Sequence, residues 1–139
     1  MKKILFSLAL LILVGFTQAQ SKTGISGNFT CKVWLLEDQS NGNTKDVRGK
    51  STDVYKVSLN GTSGVLTVTN KPKELLSFIK TISGPASLGN QYKFNNSTIW
   101  DSLQINIDHA PSGKGKSLML LSMKPIGKSK IVMMGPCDY

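Results

Sequence analysis

Two cysteines, one histidine (His109) and one arginine (Arg48) are all that the 139 residues hold of those three types. A zinc site needs three or four clustered ligands, so no metal is expected. Proteins that read nucleic acid group several arginines, so no nucleic-acid partner is expected. The eight acidic residues are scattered, with only Glu37 and Asp38 adjacent, and nothing marks the paired carboxylates of a glycosidase. His109 follows Asp108, but adjacent strand residues diverge to opposite faces, and no nucleophile motif lies near them. No enzyme and no cofactor are expected. The longest apolar run, Ile4 to Phe16, is too short for the ~20 residues of a spanning helix, so the chain is not expected to span a membrane.

That apolar run follows Met1-Lys2-Lys3 and precedes Thr17-Gln18-Ala19, with small residues at the exit. This is the form of a secretory signal peptide over 1–19, cleaved after Ala19, which makes the protein secreted or periplasmic. Residues 20–139 then form a single domain. Without Lys2 and Lys3, 15 of the 17 basic residues remain against 8 acidic ones. Such an excess suits anionic glycan or envelope components, although scattered lysines also serve as a solvated surface. In an exported chain the even cysteine count predicts one disulfide, Cys31–Cys137.

Apolar alternation predicts strands near 28–37, 52–60, 65–69, 91–95, 98–108, 117–124 and 130–135. Asn41-Gly42, Arg48-Gly49 and Asn60-Gly61 mark turns between them. Leu75, Phe78, Ile79 and Ile82 fall at helical spacing behind Asn70 and Pro72, which predicts one short α-helix near 72–83, ended by Gly84-Pro85. The fold class is therefore all-β: an antiparallel β-barrel, or a sandwich, of about seven to eight strands with one helix. A bridge between first and last strands favours the barrel. Asp101 interrupts its strand's apolar face and marks a bulge or a strand end. Trp100 is expected on the face opposite Leu103 and Ile105, outside the barrel.

The inward phase assembles Phe29, Val33, Leu35, Tyr55, Val57, Leu66, Val68, Leu103, Ile105 and Ile107. These are the candidate lining of a site for a small apolar ligand; in a barrel this small they can equally fill the interior. Gly27-Asn28-Phe29, at the head of the first strand, resembles the Gly-x-Trp opening of lipocalin-like barrels, with Phe in place of Trp. That resemblance implies a cup holding an apolar ligand. Ala86 to Tyr92 is similar to the Ser-x-Ser-Gly-x-x-Tyr motif of bacterial inhibitors of C-type lysozyme, matching it at Gly89 and Tyr92. That implies the alternative, a surface interaction protein: an inhibitor, or a module binding glycan or envelope through lysines and Trp34 or Trp100. Asp101-Ser102-Leu103 resembles the triad O-glycosylated in exported proteins of some Gram-negative bacteria. Ala110 to Ser117 approaches a phosphate loop, but its first glycine is replaced by Ala110 and strand-like residues follow, so it reads as a hairpin connection.

Overall fold

A computed structural model describes residues 24–83, 88–107 and 116–139. The signal segment, Asp108, His109 and most of the phosphate-loop lookalike lie outside the described residues. Ten strand segments form one antiparallel sheet: β1 (Ser26–Cys31), β2 (Leu35–Asp38), β3 (Asn43–Asp46), β4 (Tyr55–Asn60), β5 (Ser63–Val68), β6 (Glu74–Ser83), β7 (Leu88–Phe94), β8 (Trp100–Ile107), β9 (Lys116–Met123) and β10 (Ile131–Asp138). Their order is β1-β4-β5-β6-β7-β8-β9-β10-β2-β3, with β10 pairing back onto β1. The sheet is a closed up-and-down barrel of eight staves. β1 with β2 makes the first stave, and β3 with β4 the second. The sandwich is excluded by the β1–β10 pairing.

The closing seam shows why the first stave is split. Cys31 faces Cys137, and Leu35 faces Met134. Four steps along the first stave thus match three along β10, which is the mark of a bulge. Lys32 N donates to Pro136 O at 3.1 Å and Trp34 N to Met134 O at 2.8 Å, so the ladder continues through the irregularity. Gly135 lies against it: a Cβ there would stand 1.7 Å from the carbonyl oxygen of Lys32. Only glycine lets the two backbones pass so closely. The disulfide Cys31–Cys137 fastens this seam across 106 positions of sequence.

Alternation fixes the faces elsewhere. On β4, Tyr55, Val57 and Leu59 are buried while Lys56, Ser58 and Asn60 are exposed. On β5, Leu66 and Val68 are buried. The turn between them, Asn60-Gly61, uses Gly61 at φ 59°, as a tight hairpin requires.

Two expectations change. The residues expected as a helix near 72–83 form β6, paired to β5 on one side and β7 on the other. Leu76 is buried in the core, whereas Leu75 and Ile79 are 59% and 46% exposed. The register slips between Phe78 and Lys80, so a bulge at Ile79 spreads apolar residues over both faces and imitates a helical stripe. Its backbone is laddered to β5 from Glu74 to Ser77 and to β7 from Leu76 to Ser83, and Phe78, Ile79, Thr81 and Ile82 are good strand formers. The second change is Trp100. The β8–β9 register slips between Trp100 and Ser102, at Asp101, and the extra residue turns Trp100 inward. It is 4% exposed, and its ring lies 6.4 Å from that of Phe94.

Candidate functional site

Eight of the ten candidate lining residues meet in the barrel interior: Phe29, Val33, Tyr55, Val57, Leu66, Val68, Leu103 and Ile105. Leu35 does not join them. The seam bulge reverses the phase, so Leu36 packs against the core and Leu35 takes the outer face. Ile107 keeps the inward phase, opposite Ser117, but sits half-exposed near the end of its strand. At mid-height Leu66, Tyr92, Leu103, Ile105, Met119 and Leu121 are fully buried against one another. That level is a packed core, as expected where a small barrel is filled by its own side chains.

The barrel's two mouths differ in chemistry. Toward one, where β3 leads into β4, Tyr55 is buried, and burial first, with Asp53 nearby second, raises its hydroxyl pKa. The other mouth is where β4 turns into β5 and where β7 and β9 begin. Its wall carries Ile25, Phe78 and Tyr92. The Phe78 and Tyr92 rings meet edge to face at 5.5 Å, and Tyr92 Oη donates to Ile25 O at 3.4 Å. Burial raises the Tyr92 hydroxyl pKa, and that hydrogen bond opposes the rise.

Two buried polar side chains interrupt the apolar wall at this mouth. Asn90 faces Ile105 across β8, and Ser117 faces Ile107 and Cys137. Ile105 and Cys137 are core residues, so Asn90 and Ser117 share their inward face. Both are buried, at 2% and 0% exposure. Thr81 Oγ1 donates to Asn90 Oδ1 at 3.4 Å, while Asn90 Nδ2 and Ser117 Oγ are buried without a hydrogen-bond partner. Each such group costs ~1–3 kcal/mol. Sequence reasoning missed both. Their signal was the period of two: Asn90 lies two before Tyr92, and Ser117 two before Met119.

The outer surface offers a different feature. Trp34 is 47% exposed, and the Arg48 guanidinium sits 5.8 Å from its ring centre. Arg48 is held by Asp46 through Nε at 2.9 and 3.1 Å and through a further contact from its terminal nitrogen. Hydrogen bonds from Arg48 pull the Asp46 carboxyl down to about 2. Beside this pair, Leu35, Met134 and Leu120 align in register as a half-exposed apolar row. Among the described residues no three His, Cys, Asp or Glu side chains gather as a metal site.

Comparison of the chain with protein-family models, with curated proteins and with solved structures gives no match.

Proposed function

We propose that this protein is an exported, lipocalin-like binder of a small, largely apolar ligand, taken up at the mouth that carries Asn90 and Ser117. The observation behind this reading is the pair of buried, unpartnered polar groups on an otherwise apolar interior wall. Small-molecule sites have that composition: apolar lining with a few polar groups that fix orientation. Groups that cost stability where a methyl would not are the kind of local rule-breaking that marks function. Ile25, Phe78 and Ile107, half-exposed on the inward phase, supply the apolar rim. The packed level below confines the proposed site to the mouth and leaves no deep cup.

A second reading has its own observation. The exposed Trp34, with Arg48 laid over it, pairs two residue types enriched at interaction hot spots, which favours a surface interaction protein with a ligand-free barrel. Titration with Nile red, an uncharged apolar fluorophore, separates the two. Ligand binding predicts saturable uptake that is unchanged in Trp34→Ala. A parent protein that takes up no dye ends the first reading and leaves the Trp34 face as the functional surface.

A further inference from the structure

We infer that the Asn90–Ser117 mouth selects an uncharged ligand, one with a hydroxyl, carbonyl or amide head on an apolar body, over a carboxylate of the same length. The inference rests on the ligand-binding reading above. Asn90 and Ser117 lie two strands and two residues apart, their backbones about 12 Å apart along the sheet, and the curvature of the barrel brings their side chains toward the same space. An amide and a hydroxyl are neutral groups that donate and accept, so they match a neutral head of either polarity. Thr81 engages only the oxygen of the Asn90 amide, so its nitrogen, buried at the wall, keeps an unmet donor.

Charge gives the selectivity. An ionised head at this depth loses its water and needs an opposite charge beside it. Ile25, Phe78, Thr81, Asn90, Ile107, Ser117 and Tyr139 border this mouth on the inward phase, and none of these side chains is charged. A neutral head meets the amide and hydroxyl at no such cost, and satisfies two groups that the fold leaves bare.

The test displaces Nile red with three ten-carbon molecules at pH 8: 1-decanol, decanamide and decanoate. The parent protein, Asn90→Leu, Ser117→Ala and the double variant are compared. Decanol and decanamide are expected to displace the dye from the parent at concentrations at least tenfold below decanoate. Each single variant should weaken decanol and decanamide roughly three- to tenfold through the lost hydrogen bond, and leave decanoate unmoved. Thermal melts run alongside, and Ser117→Ala, which removes a bare hydroxyl, is expected to melt no lower than the parent. If Asn90→Leu does not fold, Ser117→Ala carries the comparison alone. Decanoate binding as tightly as decanol, or decanol unaffected in the folded variants, overturns the inference while ligand binding stands. A parent that takes up neither dye nor decanol removes both.

Discussion

Cys31 and Cys137 are joined twice, by their sulfurs and by direct opposition across the β1–β10 seam. The bond therefore fixes the register that closes the barrel as well as linking two distant points of chain. The same seam is also held by Thr30 opposite Asp138, by the hydrogen bonds that Lys32 N and Trp34 N donate, and by the β2–β10 ladder from Ile131 to Met134.

Loss of the bridge should be felt mainly as lost constraint on the unfolded chain. In the chain-entropy view, a loop spanning 106 positions is worth about 4–5 kcal/mol. Denatured, unreduced protein should show no free thiol. The Cys31→Ser/Cys137→Ser double variant should unfold in urea with a free energy lower by about that amount. Two titratable thiols in the parent would refute the pairing.

The two tryptophans should behave oppositely. Trp100 packs against Phe94 in the core, so Trp100→Ala should cost about 3–5 kcal/mol in urea denaturation. Trp34 stands on the surface, and Trp34→Ala should change stability by no more than ~0.5 kcal/mol. Intrinsic fluorescence gives an independent check. The emission of Trp34→Ala, which reports Trp100 alone, should lie well to the blue of that of Trp100→Ala.

Alkali should loosen the fold through Tyr55 and Tyr92. Burial raises both hydroxyls above the usual 10.0. A raised folded-state value means the neutral form is the one the fold favours. The stability this represents is complete below pH 10 and is lost as pH climbs through the folded-state values. Urea midpoints should be flat from pH 8 to 9.5 and fall beyond pH 10. Tyr92→Phe should make that fall shallower, and an unchanged slope would show that Tyr92 does not contribute.

Much of the architecture was legible in the chain. Strict alternation in β4 and β5, glycine turns, and two cysteines at the ends of the domain pointed to a closed antiparallel barrel. Three of the misreadings share one cause, the β-bulge. A bulge adds one residue and reverses every face beyond it. The seam bulge exchanged Leu35 for Leu36, the bulge at Asp101 drew Trp100 inward, and the one at Ile79 gave β6 a helical pattern. Asp101 did signal its bulge through the break in apolar phase, yet the direction in which Trp100 turned depended on the register with β9. The seam bulge is set by a close passage against Gly135, about a hundred residues away, and nothing near Leu35 announces it. Asn90 was passed over because it fell just before the strand expected over 91–95, and Ser117 because a polar residue in a strand is ordinarily assigned to water; only the register shows which side each takes.

β3 presents an edge that the barrel's closure does not cover. Its partner is β2 on one side, and no described strand lies on the other. Strand addition by another chain needs such an unpaired edge, and β3 offers one. Its four residues, Asn43-Thr44-Lys45-Asp46, are all exposed, and two carry charge. A short, charged edge is a poor template for a second copy. Turning Thr44 and Asp46 into valines would weaken that protection and make the folded protein, with its core intact, prone to pair edge to edge with a second copy.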